Sequence, residues 1–389
     1  MPGCIGLMSG TSLDGVDAAW VETDGVAIQR TGPALTLPND AAFRDDLRRL
    51  LDLAAAPAGL PAKDAFLLNC ERRLTERHAE AVAMLRPMVR AELGLEAELL
   101  GFHGQTILHR PRKRQSWQIG DAGLLARLAG LPVAHDFRGA DVTAGGQGAP
   151  LVPVVHAAMA AALPKPLAVL NLGGVGNLTW IGRDGELVAF DTGPANGPLD
   201  DWTRRMTGLD RDQDGRLALA GTPDSAMVGR LLAHPYLAAA APKSLDRLEF
   251  GGALQAAGLG ALSPADGAAT LVALCAGCVA AAVRHLPEPP SQWLVGGGGR
   301  RNTAVMRALA ATLAAPVRPV EAVGWDGDAL EAQAFAVLAV RVVRGLPLTF
   351  PGTTGVAVPL AGGRLVGGPG KFQCGAASPW EAGARPVQG

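Results

Sequence analysis

Cys4-Ile5-Gly6-Leu7-Met8, Ser9-Gly10-Thr11-Ser12-Leu13-Asp14-Gly15 and Val16-Asp17-Ala18-Ala19-Trp20-Val21 follow one another at the start of the chain, and their reading decides the fold. A short apolar run, a turn of small and polar residues and a second run closed by Asp24-Gly25 spell strand, turn, strand and hairpin. The same order returns with Gly173 in the place of Gly10, 163 residues later. Leu167-Ala168-Val169-Leu170-Asn171-Leu172 is a buried strand, Gly173-Gly174-Val175-Gly176-Asn177 a Gly-rich turn, and Leu178-Thr179-Trp180-Ile181 a second strand before Asp184-Gly185. The likeness is one of architecture rather than of letters, and it predicts two α/β domains of the same design.

The rest of the chain fits that frame. Phe66, Cys70, Leu74, Val82, Leu85, Val89 and Leu93 recur at helical spacing, with Pro87 an expected kink. Leu99 to Phe102 and Pro132 to His135 read as strands, and Pro150 to Leu163 as a helix started by proline. In the second half, helices are expected over Ser225–Leu232, Ala268–His285, Asn302–Leu313 and about Asp328–Arg344, with a strand at Ser291–Val295. The tail beyond Gly345 is Gly- and Pro-rich, a loop with one strand.

Composition narrows the class. The 389 residues suggest two domains, and 35 basic against 36 acidic residues leave a net charge of −1. That balance argues against nucleic acid or an anionic membrane as partner. Hydrophobic residues make up 48% and charged residues 18%, enough apolar content for a large core. The opening Met1-Pro2-Gly3-Cys4 carries no basic region and no long apolar stretch, so no signal peptide is expected. The uncharged run Gly267–Val283, 17 residues, reads as a buried helix rather than a membrane span. Five cysteines do not make a disulfide scaffold. A cytoplasmic α/β protein is expected.

Three Gly-rich turns each follow an apolar strand: Ser9–Gly15, Gly173–Asn177 and Gly296–Asn302. One such turn is a tight hairpin or a helix start; three in this arrangement point to backbone N–H groups around phosphate oxygens. The familiar alternatives fail. Gly367-Gly368-Pro369-Gly370-Lys371 is followed by Phe372, so it is no P-loop, and Gly296-Gly297-Gly298-Gly299 lacks the last glycine of a dinucleotide fingerprint. Cys275 and Cys278 lie in an Ala-rich helix without a second pair, and read as small core residues.

Polar residues concentrate in four stretches: Ser9–Asp17, Gly101–Thr106, His135–Gly148 and Phe190–Gly197. Asp191 ends the apolar run Leu187-Val188-Ala189-Phe190, a position suited either to an Asx turn or to chemistry at a strand end. His103, between glycines, is open to a base, a substrate contact or a structural role. Arg138, beside Asp136 and Asp141, is open to a plain ion pair or to a fork that binds a substrate carboxylate. Glu331 lies on the last helix, facing solvent or a site.

Taken together, these residues resemble a known family. Ile5-Gly6-Leu7-Met8-Ser9-Gly10-Thr11-Ser12-Leu13-Asp14-Gly15-Val16-Asp17 looks like the opening motif of the anhydro-N-acetylmuramic acid kinases. Gly101-Phe102-His103-Gly104-Gln105-Thr106, Trp117-Gln118-Ile119-Gly120, Asp136-Phe137-Arg138 and Gly145-Gly146-Gln147-Gly148-Ala149-Pro150 follow in order. Asn171-Leu172-Gly173-Gly174-Val175-Gly176-Asn177, Phe190-Asp191-Thr192-Gly193-Pro194, Val295-Gly296-Gly297-Gly298-Gly299 and Asp328-Ala329-Leu330-Glu331-Ala332 complete the set.

The resemblance implies the sugar-kinase, actin and heat-shock ATPase superfamily: two duplicated actin-like, ribonuclease H-like α/β domains with a nucleotide cleft between them. Domain I is expected over 1–163 and about 340–389, domain II over 164–339. The superfamily's first phosphate turn usually carries an Asp, whereas Ser9-Gly10-Thr11-Ser12 stands there in this chain, as in the resembled family. The implied reaction spends ATP, with Mg²⁺, to open the 1,6-anhydro ring of anhydro-N-acetylmuramic acid and phosphorylate O6 during cell-wall recycling. The implied site has Asp191 as general base and Arg138, Glu331 and His103 toward the sugar. Gly10, Thr11, Ser12, Leu13, Asp14, Gly15, Val16, Asp17, Gly173, Gly174, Asn177, Gly297 and Gly298 lie toward ATP. No nucleic acid or membrane partner is implied, and a homodimer is. The rival readings are another amino-sugar kinase of the superfamily, or an ATP-binding regulator without catalysis.

Overall fold

The computed structural model describes residues 1–10, 12–56, 59–245 and 249–367. Strands are β1 (Gly3–Met8), β2 (Gly15–Thr23), β3 (Ile28–Pro38), β4 (Leu99–Phe102), β5 (Gln105–Arg110), β6 (Gln115–Ile119) and β7 (Val133–His135). They continue as β8 (Leu167–Leu172), β9 (Val175–Ile181), β10 (Leu187–Pro194), β11 (Trp293–Gly296), β12 (Val317–Pro319) and β13 (Arg364–Val366).

The first sheet runs β13-β7-β4-β1-β2-β3. Within it β1, β2 and β3 form an antiparallel meander, while β4 and β7 continue parallel to β1. The second sheet runs β10-β9-β8-β11-β12. Here β8, β9 and β10 form the meander, and β11 and β12 continue parallel to β8. Counted from its first strand, each sheet therefore has the order third, second, first, fourth, fifth. The duplicated design read from the two strand–turn–strand segments is thus a duplicated sheet topology, with both sheets mixed. The hairpin β5–β6 stands apart from them.

The chain divides into two compact units. One is Met1–Ala140 with Glu331–Leu348 and the described residues from Leu360; the other is Asp141–Leu330 with Thr349–Pro359. These limits differ from the 163 and 340 expected from sequence. Residues 141–163 fall with the second unit because the helix Pro153–Met159 packs on β9 and β10, and Ala160 closes on Leu167, Val169 and Ile181. That helix starts at Pro153, not Pro150.

The later limit moves because of two glycines. Gly6 of β1 and Gly101 of β4 are partners in the parallel register. A Cβ on Gly6 would sit 1.8 Å from the Ala332 carbonyl oxygen, and one on Gly101 would sit 2.0 Å from that of Phe335. The helix Leu330–Val343 thus lies directly on the sheet backbone, and Ala332 and Ala334 through Val340 are all buried. A helix this apolar over most of its surface fits a buried seat.

Other helices follow their caps. Ala65–Leu93 starts at Asp64, whose carboxylate accepts from the Phe66 and Leu67 amides, runs through Pro87 and stops at Gly94 with φ +66°. The helix Pro264–Ala282 and the turn to His285 are long and apolar enough to pass for a membrane span, yet two-thirds of that segment is buried inside the second unit. It packs there with Trp180, Trp202, Trp293 and Phe190.

Gly101→Ala should lower stability by about 1–3 kcal/mol or prevent folding, because the clash is with helix backbone rather than a side chain. Gly229→Ala, with nothing within 4 Å of the added Cβ, is the control. Equal denaturation midpoints for the two proteins would refute the seat.

Candidate active site

In the second unit, strand register gathers the chemistry. Gly296 of β11 pairs with Asn171 of β8, Asn171 with Asn177 of β9, and Asn177 with Asp191 of β10. Four strands therefore bring the Gly296–Gly299 turn, the Gly173-Gly174 turn and the Asp191 carboxylate to one end of the sheet. A register shift between Asp191 and Gly193 interrupts the ladder just beyond the carboxylate. Such bulges re-aim side chains beside active sites.

The helix Asn196–Thr207 starts against the same turn. Its Asn196 and Gly197 amides donate to the Gly173 and Gly174 carbonyls at 2.9 and 3.0 Å, and Asn196 Nδ2 donates to the Leu172 carbonyl at 2.8 Å. Gly297 has φ +70°, and a Cβ there would lie 2.4 Å from Asn171 Oδ1, so only glycine brings this turn so close. Arg300, its side chain almost fully buried, fixes the turn from behind. It donates to the Gly297 carbonyl at 3.0 Å, Glu321 at 2.7 Å and Asp328 at 2.9 Å.

Asp191 is half-buried and held from three sides. Its Oδ2 accepts from the Leu245 amide at 2.8 Å, its own amide donates to the Lys243 carbonyl at 3.0 Å, and its carbonyl accepts from Tyr236 Oη at 2.6 Å. Burial pushes its carboxyl up to about 7, opposed only by the Leu245 hydrogen bond. Lys243, over the rings of Tyr236 and Phe190, is pulled down to about 8 by burial and then by Arg284. A carboxyl that titrates near neutrality beside a strand bulge can exchange a proton with a bound molecule.

The first unit supplies a different chemistry. Leu13 (φ +61°) in the turn between β1 and β2 and Val16 at the start of β2 bury their side chains, so only their backbone could meet a ligand. Gly15 is closed in by the Leu37 carbonyl. Ser12 Oγ donates to Asp14 at 2.6 Å, and Asp17 accepts from Thr36 at 2.6 Å. Gly10 lies just beyond β1, and Thr11 lies outside the described residues. Ser9 Oγ donates to the Gly104 carbonyl at 3.2 Å, tying this turn to the one that carries His103.

His103 is buried, and both ring nitrogens are engaged. Nδ1 meets the Gly104 carbonyl at 2.8 Å, while Nε2 accepts from Arg138 Nε and Nη2 at 3.1 and 3.0 Å. Burial, with the Arg138 charge second, holds its pKa well below the usual histidine value, so the ring is neutral. The ring thus faces the Arg138 fork as a hydrogen-bond acceptor. Beside it lies a pocket of about 230 Å³, lined by His103, Gly104, Trp117, Gln118, His135 and Asp136 among others. Gly104 (φ +71°) lets the chain press against the Ile119 carbonyl of β6. Glu331 is exposed in the first turn of the helix Leu330–Val343, and the Phe335 ring one turn on sits 4.6 Å from that of His103.

The structure adds residues that the sequence did not single out: Asn196, Tyr236, Lys243 and Leu245. Tyr236 was detectable as the one tyrosine in the chain. Leu245 contributes through its backbone, which no side-chain pattern advertises.

Comparison with known proteins gives a consistent answer. The family described as "Anhydro-N-acetylmuramic acid kinase" matches residues 3–366. A protein of that name from Acidiphilium cryptum is 59% identical over 362 residues, covering 93% of this chain and 97% of its own. Another from Rhodospirillum rubrum is 56% identical, covering 92% of each chain. A third from Paramagnetospirillum magneticum is 53% identical, covering 92% of this chain and 98% of its own.

The raised Asp191 carboxyl carries a stability signature. In the unfolded chain it ionises near 3.8, in the folded chain only near 7. Its contribution is therefore present at low pH and lost as pH rises through that window. Asp191→Asn keeps an acceptor for the Leu245 amide and never ionises. Thermal unfolding should find this variant more stable than the parent at about pH 8, with the gap closing toward about pH 4. A gap that widens on acidification would contradict the assigned direction.

Proposed function

This chain belongs to the anhydro-N-acetylmuramic acid kinase family, and we propose that Asp191 is the general base of its reaction. The chain is a phosphotransferase, and its substrate on this reading is 1,6-anhydro-N-acetylmuramic acid. ATP and water convert that sugar to N-acetylmuramic acid 6-phosphate and ADP. The substrate's O6 is bonded to C1, so no free hydroxyl exists until the bridge opens. Water adds to C1 and gives its proton to Asp191. The C1–O6 electron pair passes to O6, which takes the γ-phosphoryl group as its bond to ADP breaks. Capture of O6 by phosphorus removes the need for a separate acid, unlike the paired carboxylates of glycoside hydrolysis.

The observation that carries this assignment is the Asp191 carboxyl, beside the bulge of β10, held by the Leu245 N–H and pushed up to about 7. A base is most effective when its pKa lies near the working pH. The N–H groups of Gly10 to Asp17 and of Gly173, Gly174 and Asn177 are assigned to phosphate, and Gly297 and Gly298 to the adenosine side. The close backbone packing at Gly297 supports a rigid wall there. Among the described residues no group of three or more His, Cys, Asp or Glu forms a protein cage for a metal ion. Mg²⁺ is accordingly assigned to the nucleotide phosphates, where it neutralises charge and keeps water ligands. Arg138, aligned by His103, is assigned to the lactyl carboxylate, and Glu331 to the sugar or the attacking water. A cytoplasmic setting, where ATP is available, and a homodimer belong to the same proposal, as does a place in cell-wall recycling.

Asp191→Asn should retain ATP binding and lose at least about 10²-fold in kcat. Near-normal turnover in that variant would remove Asp191 from the role. In ¹⁸O-water the label should appear at C1 of the 6-phosphate product, and label elsewhere would contradict attack at C1. Arg138→Ala should raise the sugar KM with a smaller change in kcat, and unchanged sugar affinity would remove the carboxylate contact.

A further inference from the structure

We infer that Gln147 is a positioning residue for this reaction: through Ser244 it holds the loop whose Leu245 amide binds the Asp191 carboxylate. The inference rests on reading Asp191 as the base.

The argument begins with what fixes Gln147. Just upstream, Asp141 is fully buried; its Oδ1 accepts from the Gly148 amide at 2.6 Å and its Oδ2 from Thr354 Oγ1 at 2.6 Å. The Gly146 amide donates to the Asp141 carbonyl at 2.9 Å, and the Gln147 amide to the Thr354 carbonyl at 2.7 Å. A Cβ on Gly146 would lie 2.2 Å from Asp141 Oδ1, so glycine is required for the turn to close this tightly. The backbone of Gln147 is therefore tied down on both sides, and its side chain reaches out from a rigid base.

That side chain meets the loop at its middle. Gln147 Oε1 accepts from Ser244 Oγ at 3.0 Å. Ser244 stands between the two residues that grip Asp191: the Lys243 carbonyl accepts from the Asp191 amide at 3.0 Å, and the Leu245 amide donates to Asp191 Oδ2 at 2.8 Å. Residues 243–245 belong to no helix or strand, so no ladder of backbone bonds keeps them in place. Lys243 is anchored by Nζ bonds to the Tyr236 and Leu237 carbonyls at 3.0 and 3.3 Å. On the Leu245 side, the Gln147–Ser244 bond is the neighbouring side-chain hold.

Loss of that bond loosens the Leu245 amide, and with it a hydrogen bond that favours the ionised carboxylate. Asp191 then binds its proton more tightly, and the acid limb of kcat moves to higher pH. Titratable groups on the surrounding elements are Tyr236 on the helix Pro235–Ala238, Cys278 on the helix Pro264–Ala282 and His156 on the helix Pro153–Met159. Among the described residues Lys243 itself, with Arg284 and His285 beside it, and Glu249 near Tyr236 are further such groups. Replacing Gln147 or Ser244 alters none of these charges, so a displaced limb reports on the amide.

The experiment compares kcat–pH profiles of the full-length parent, Gln147→Ala, Ser244→Ala, the double variant, Ser244→Thr and Asp191→Asn, together with hydrogen exchange at the Leu245 amide. The acid limb should rise by about half a pH unit or more in each Ala variant, with no further rise in the double. Ser244→Thr, which keeps the hydroxyl, should restore the parental limb. Leu245 exchange should quicken in the Ala variants while the sugar and ATP KM values stay near those of the parent. If Asp191→Asn abolishes the limb but neither Ala variant moves it, the inference falls and the base assignment stands. If the limb persists in Asp191→Asn, the base assignment falls and takes the inference with it. Unchanged Leu245 exchange in both Ala variants overturns the link between Gln147 and the loop.

Discussion

Strand register is the constraint on which the second unit's chemistry depends. Asn171, Asn177 and Asp191 are abreast only because β8, β9 and β10 pair residue for residue up to the bulge at Asp191. A slip of one position would turn Asp191 to the opposite face of the sheet and carry Phe190 out of the core. The buried face resists such a slip. Trp180, Phe190 and Leu178 are each almost fully buried, and Trp293 holds β11 in the same core. Packing on one side of the sheet thus fixes geometry at its end.

The same physical cause acts in opposite senses on the two units' titratable groups. Desolvation disfavours whichever form is charged, so it raises Asp191 and lowers His103. Asp191 is brought into the range where a proton can move. His103 is driven out of it and becomes a fixed neutral acceptor for Arg138. On the proposed reading, one group is tuned to react and the other to aim a charge. Their local partners decide which: one backbone amide for Asp191, a guanidinium for His103.

The fold was legible where residue pattern and backbone coincide. The first two strands of each meander follow from apolar runs closed by Asp24-Gly25 and Asp184-Gly185, and Asp64 and Asn302 cap helix starts. β3 was not anticipated, since Ile28–Pro38 is an edge strand with mixed exposure and no clean alternation. The seat of the helix Leu330–Val343 was hidden because it rests on the absence of side chains at Gly6 and Gly101, whose pairing is a matter of register. At the candidate site, Asp191, Arg138 and the glycine turns stood out by motif. Residues around them did not, because Leu245 and Lys243 meet Asp191 through amide and carbonyl groups that every residue possesses.

The Leu245 amide, the donor that the Asp191 carboxylate meets among the described residues, bears on the proposed reaction. A carboxylate that accepts two or three backbone N–H bonds is a weak base, with its pKa driven far down. One with no donor is left protonated well above neutrality and turns freely. Among the described residues Asp191 has one donor, on Oδ2, and a bulge beyond it, which leaves it oriented yet basic. A base for water needs that balance more than a base for a sugar hydroxyl does. Water brings no other contacts to hold it in line, so the carboxylate must supply direction as well as affinity for the proton. A fold that met this need with a second donor would gain direction and lose basicity. Holding the donor's loop from outside, through a neutral hydrogen bond, gains direction at no cost in charge.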